Sequence, residues 1–135
     1  MARRFAASYE ATPQSVSVVR NQMAALAADC GLDDERIADV KLAVSEAATN
    51  ALVHAYRDRD EKGVIRVEAE IDEGELRITV LDEGAGLAPR PDSPGLGLGL
   101  PVIAAVAKRL EIIPRDIGTS LRMAFRCPQA GPSVN

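Results

Sequence analysis

Glu46, Asn50 and His54 stand four residues apart, and Glu46 is the one formal charge between Leu42 and Ala55. On an α-helix that spacing makes one stripe, drifting by roughly 40° per step. A lone carboxylate among Ala, Val and Leu is costly when buried without a partner. Asparagine is also a poor residue for a helix interior. Both choices make sense if the stripe faces a polar ligand. A solvated helix face accounts for the Glu46–Asn50 pair as well, and His54 alone fits packing or capping near a helix end.

Asp82-Glu83-Gly84-Ala85-Gly86 is a second chemical group. A carboxylate at the end of a strand can accept a hydrogen bond from an exocyclic amine. Gly84 and Gly86 permit positive φ and close approach of backbone to a ligand. A plain turn or a calcium loop are the other readings, but the further spaced acids of an EF-hand loop are missing. Gly95-Leu96-Gly97-Leu98-Gly99-Leu100 then precedes a helical stretch, where backbone N–H groups and the helix dipole favour phosphate. The run is not a Walker loop, since no Gly-Lys-Ser/Thr occurs. It is a poor dinucleotide fingerprint too, with G-x-G-x-G spacing and a loop before it.

These residues need elements to hold them. Phe5 to Ala11 reads as a strand. Thr12 as N-cap and Pro13 at the first helical position start a helix. In it Val16, Val19, Met23, Leu26 and Ala27 recur at helical spacing up to Cys30, and Gly31 ends it. Asp33 or Asp34 caps a second helix, with Ile37, Val40, Val44, Ala47, Ala51 and Ala55 on one face, running to about Tyr56. Arg57 to Lys62 is a charged loop. Val64–Ile71 and Leu76–Leu81 alternate as a hairpin around Asp72-Glu73-Gly74. Gly84 to Gly99 is a Gly/Pro-rich loop, and Leu100 to Leu110 a third helix that tolerates Pro101 near its start. Glu111–Arg115 and Thr119–Arg126 form a last strand pair. The expected fold is α/β, a two-layer sandwich: a mixed, mostly antiparallel sheet covered on one face by three helices. Residues 1–127 form a single domain, and 128–135 a frayed tail.

Composition narrows the function classes. The chain has 135 residues, 47% of them apolar and 3% aromatic, so its core is built from Ala, Leu, Val and Ile. A net charge of -4 argues against direct nucleic-acid binding. The group Lys108, Arg109, Arg115, Arg122 and Arg126 reads as a solvated face. No apolar run is long enough to span a membrane. Cys30 and Cys127 lie far apart without CxxC spacing, so a disulfide framework or metal site is not expected and a reducing cytoplasm fits.

In order and spacing these motifs resemble the GHKL ATP-binding superfamily of gyrase, histidine kinases and mismatch-repair ATPases, the Bergerat fold. Glu46-x-x-x-Asn50 matches its N box, Asp82-x-Gly84-x-Gly86 its first glycine box, Gly97-x-Gly99 with Leu100 its second, and Gly118-Thr119-Ser120 its short box on the penultimate strand. The resemblance runs from about Thr12 to Arg126. It implies that Asn50 coordinates magnesium and that Asp82 binds the adenine amine, with Thr119 nearby. It implies that Gly84 and Gly86 shape the adenine pocket and that Gly95–Gly99 forms a short lid over the phosphates. His54 and Leu100 complete the nucleotide-binding set, and Glu46 is the general base. Glu46-Ala47-x-x-Asn50-Ala51-x-x-His54-Ala55-Tyr56 and the short lid are most similar to the anti-sigma-factor serine kinases of bacterial stress and sporulation control. Those proteins are dimers that sequester a sigma factor and phosphorylate a serine on an anti-anti-sigma (STAS-type) antagonist. Arg20 falls near the partner surface, although an ordinary solvated arginine accounts for it equally. Two alternatives stand beside the kinase: a nucleotide-binding switch without phosphotransfer, and a histidine-kinase ATP module acting in trans. The second is disfavoured because His54 is the only histidine and lies in the nucleotide helix.

Overall fold

Period-two alternation in the strands gives the sheet one apolar face, and period-3.6 stripes give the helices something to lay on it. The computed structural model describes residues 3–55, 63–83, 96–116 and 118–128. In chain order the elements are β1 (Arg3–Glu10), α1 (Pro13–Asp29), α2 (Asp34–Asn50), a π-helical turn (Ala51–Ala55), β2 (Val64–Asp72), β3 (Glu75–Asp82), α3 (Leu96–Val106), β4 (Arg109–Pro114) and β5 (Thr119–Arg126). The strands form one sheet in the order β1-β2-β3-β5-β4, with every pairing antiparallel. α1 packs on α2 and α2 on α3, so the helices form the second layer of the expected sandwich.

The register places the core. Val67, Val80 and Leu121 form one cross-strand row on the covered face, and Ala69, Ile78 and Met123 the next. All six are buried, with Val19, Met23, Val40, Val44 and Ile103 above them. Burial of each larger side chain is worth roughly 1.5–3 kcal/mol. The caps are those expected. Thr12 Oγ1 accepts from the Ser15 amide at 3.3 Å, ahead of Pro13. Asp33, rather than Asp34, caps α2, accepting from the Arg36 amide at 2.9 Å. Glu73 (φ 52°) and Gly74 (φ 74°) make the tight turn between β2 and β3, both in the positive-φ conformation of a two-residue hairpin. The Tyr9 hydroxyl bonds the Gln22 side chain and ties β1 to α1.

Three elements depart from the sequence reading. The α-helix of α2 stops at Asn50, and the chain winds on as a π-helical turn. The third helix begins at Leu96 and ends at Val106 instead of spanning Leu100 to Leu110. Glycines at 97 and 99 lower its propensity, but packing on α2 and burial of Ile103 override that. Its end is set by the sheet: the Lys108 amide bonds the Ala124 carbonyl at 2.8 Å, and β4 starts at the next residue. The expected loop at Arg57–Lys62, most of the Gly84–Gly99 loop and the tail beyond Pro128 lie outside the described residues.

The third departure concerns charge. Lys108 and Arg109 are not simply solvated. Lys108 Nζ reaches Glu75 Oε2 at 2.7 Å, Arg109 grips both Glu75 oxygens at 3.0 and 3.1 Å, and Arg77 Nε adds a contact at 3.1 Å. Glu75 has an 11% exposed side chain, and a carboxylate so enclosed needs such partners. Hydrogen bonds from Arg109, Lys108 and Arg77, in that order, hold its carboxyl well below the usual carboxylate range. Arg122, Arg115 and Arg126 remain exposed as expected.

A depressed folded-state pKa gives stability that is full above the unfolded value and lost as pH falls through the folded one. Glu75→Gln is expected to destabilise the protein at pH 7 by about 1–2 kcal/mol, reduced from a buried pair because Lys108 and Arg109 are partly solvated. The gap between variant and wild type should shrink as pH drops below about 4.3. Urea denaturation at pH 7, 4 and 2.5 checks it; a gap independent of pH would contradict the ionic role.

Candidate functional site

The covered face of the sheet carries one carboxylate where its alternation calls for an apolar side chain. Leu76, Ile78, Val80 and Asp82 share that face of β3, and Asp82 is 2% exposed. It ends the strand, between Ile65 of β2 and Thr119 of β5. Thr119 and Ser120 are buried as well, at 5% and 7%. The end of β3 is therefore a buried polar patch set into an apolar layer.

Gly118 explains how closely β5 enters beside it. A Cβ at Gly118 would lie 1.8 Å from the Asp82 carbonyl oxygen, 2.6 Å from its carbon and 2.9 Å from the Glu83 Cα. Its φ of +80° also suits glycine alone. The residue that opens the short Gly118-Thr119-Ser120 motif is a backbone spacer for Asp82. The motif was legible in the sequence; the contact, reaching across 36 positions of chain, was not.

The second wall comes from α2. Glu46 is half-buried on the helix, and Asn50 ends it at 5% exposure. The π-helical turn that follows packs against β3, which brings this end of α2 to the strand that ends in Asp82. Asn50 Nδ2 is buried and has no hydrogen-bond partner among the described residues. Leaving such a group unmatched costs about 1–3 kcal/mol. A half-turn of the carboxamide exchanges its oxygen and nitrogen without changing shape. The position thus suits either a cation on the oxygen or an acceptor on the nitrogen, and it fits a magnesium-bound nucleotide. Ser45 Oγ is likewise buried without a partner among the described residues, and nothing in its sequence neighbourhood singles it out.

His54 follows Asn50 in the π-helical turn, whose wider winding changes the angular step after Asn50. Gly84, Gly86 and Gly95 lie outside the described residues. Leu96, Gly97, Leu98 and Gly99 form the first turn of α3, rather than a loop. The leading amides of a helix have no intrahelical acceptor, which keeps the phosphate reading of this segment open. Leu100 is half-buried against the core. Arg20, on α1, is half-buried beside the exposed Val18, its guanidinium bonded to Ser17 Oγ at 3.3 Å.

Gly118→Ala is expected to destabilise the fold by about 1–3 kcal/mol, because the Asp82 main chain must move. Gly74→Ala is the control: it shares the positive φ, but its Cβ would meet nothing within 4 Å. Denaturant midpoints compare the two, and equal losses would show that φ alone, not contact with Asp82, fixes glycine at 118.

Among the described residues no helix is long and apolar enough to cross a membrane, and no group of three or more His, Cys, Asp and Glu is placed to hold a metal. Residues 9–125 match the family described as histidine kinase-like ATPase domain. The chain is 34% identical to the anti-sigma F factor of Clostridium beijerinckii, over 73% of this chain and 76% of that one. It is 37% identical to the anti-sigma F factor of Clostridium perfringens, over 66% and 71%. Among solved structures it is similar to the RsbU and RsbW domains of Rv1364c from Mycobacterium tuberculosis, at 28% identity and a TM-score of 0.73. That match covers 93% of this chain and 32% of the other, so the chain spans about a third of that larger protein. With the strand order, the buried Asp82 at the end of β3 and the end of α2 beside it, this chain belongs to the histidine kinase-like ATPase domain family.

Proposed function

We propose that this chain is an ATP-dependent anti-sigma factor with protein serine kinase activity. It would sequester a sigma factor and phosphorylate a serine of an anti-anti-sigma antagonist of the STAS type. The observation that carries the reading is the buried carboxylate of Asp82 at the strand end, beside a helix whose Asn50 amide nitrogen is buried without a partner among the described residues. The relatives named anti-sigma F factor supply the output.

Each residue takes the task that its motif implies. Asp82 accepts a hydrogen bond from the adenine amine, and Thr119 across the strand pair supplies a second polar contact. Gly84 and Gly86 let the backbone approach the base. Residues Gly95 to Leu100 cover the phosphates, those from Leu96 onward with the leading amides of α3. His54 belongs to the proposed nucleotide-binding set. Asn50 would hold Mg2+, which when bound would neutralise charge developing on the transferred phosphoryl group. Glu46, one helical turn before Asn50, takes the proton of the incoming serine hydroxyl.

Asp82→Asn is expected to weaken ATP binding by about 1.5–3 kcal/mol, the worth of a charge-assisted hydrogen bond. Glu46→Gln should keep ATP affinity and lose about 10²–10⁴-fold in transfer. Calorimetry reads the first, and radiolabel transfer to the antagonist the second. Wild-type transfer by Glu46→Gln would remove it as the base.

The partner surface includes Arg20, where sigma factor and antagonist would compete. Added phosphate on the antagonist would then cost it binding by charge repulsion and desolvation. The protein acts as a homodimer in the cytoplasm. The test is a pull-down against sigma factors and antagonists of the same genome, with and without ATP, followed by intact mass. A retained sigma factor and a serine phosphate on the antagonist support the proposal; sigma binding without phosphate leaves the nucleotide switch. Light scattering that returns the 14.3 kDa monomer at micromolar concentration overturns the dimer.

A further inference from the structure

We propose that Cys30 and Cys127 form a reversible intramolecular disulfide that locks the end of β5 to the end of α1. Their separation in sequence hides the pairing, and the fold closes it. Cys30 is the C-cap of α1, its amide bonded to the Leu26 carbonyl and its thiol donating to the Ala27 carbonyl at 3.3 Å. Cys127 follows β5 directly, its amide held by the Gly74 carbonyl at 2.9 Å. The next residues of the two segments also meet: a Cβ at Gly31 would lie 3.8 Å from Pro128 Cγ. Both side chains belong to the same apolar cluster, and both thiols are free.

The two sulfurs are not equivalent. Cys30 is half-buried and Cys127 buried, so Cys30 meets an oxidant first. With a peroxide, the Cys30 thiolate attacks one oxygen, the O–O bond breaks, and Cys30 becomes a sulfenic acid as the second oxygen leaves as water. The Cys127 sulfur then attacks the Cys30 sulfur. An S–S bond forms, the S–O bond breaks, and the departing hydroxide leaves as water with the Cys127 proton. Two thiols lose two hydrogens, and one peroxide becomes two waters.

The Cys127 thiol is pushed up to about 12, first by burial and then by Cys30 beside it and the charge of Glu75. Glu73, Lys108 and Arg126 line the same recess as Glu75 and Cys127. The thiol therefore stays protonated at neutral pH, and the closing step quickens as pH rises. The bond would close the long stretch of chain from Cys30 to Cys127 into a loop, which restricts the unfolded state strongly. It lies at the end of the sheet away from Asp82, since Arg126 pairs with Glu75 at the start of β3.

The test treats the full chain with hydrogen peroxide at pH 7 and pH 9, then maps non-reduced peptides and measures thermal melting. The expected result is a Cys30–Cys127 linked peptide that forms faster at pH 9. The melting midpoint should rise by about 5–15 °C and fall back on adding dithiothreitol. Cys30→Ser, at the less buried site, should show neither the link nor the rise; Cys127→Ser should behave likewise where it folds. A link only between two chains, a sulfenic acid on Cys30 with Cys127 still free to alkylate after unfolding, or a link that leaves the midpoint unchanged would overturn the proposal.

Discussion

A carboxylate buried at the end of an apolar row is the constraint on which this site depends. Asp82 occupies the position that alternation along β3 would give to a core side chain. Taking a charge out of water costs several kcal/mol unless neighbours compensate it. The sheet must bring polar groups to it without opening the core, and Thr119 on β5, its cross-strand partner, does so while Val80 and Leu121 in the next row keep the layer dry. The close entry of β5 requires a residue without a side chain at 118, because the Asp82 carbonyl occupies the space a Cβ would take.

Much of the frame was legible because it rests on local signals. Alternation gave the hairpin β2–β3 and the bounds of β5, and Thr12, Pro13 and Asp33 marked helix starts that the structure keeps. Asp82, Asn50 and Glu46 were legible because each is the wrong type for its local pattern. What local reading missed was fixed by distant parts of the chain. Lys108 and Arg109 looked solvated because Glu75 lies on another strand. α3 looked shorter at its start because glycine lowers propensity, while the burial of Ile103 that pays for those glycines is tertiary. The π-helical turn has no residue signature, since Ala, Leu, Val and His serve an α-helix equally well.

The molecule separates its tasks along β3. At Asp82 the strand ends in buried polar groups. At Glu75 it begins in a carboxylate gripped by Arg77, Lys108 and Arg109, with Cys127 and Cys30 close behind. Six residues lie between, and the strand spans roughly 23 Å from Glu75 to Asp82. Substitutions at the Glu75 end therefore act on stability away from the candidate site, whereas those at the Asp82 end, where Gly118 packs on its main chain, act on stability and on the candidate site together.

The winding change after Asn50 has a consequence for length variation. Between Glu46 and Asn50 the helix is α, and an inserted or deleted residue there would rotate one against the other by about 100°. Immediately beyond, Ala51–Ala55 closes wider hydrogen-bonded rings than the α-helix before it. A residue lost from this segment can be absorbed by tightening the coil back to α, leaving the phase of the preceding pair untouched. The chain thus sets a rigid spacer and a slack coupling back to back, and drift in length is tolerable on one side of Asn50 but not on the other.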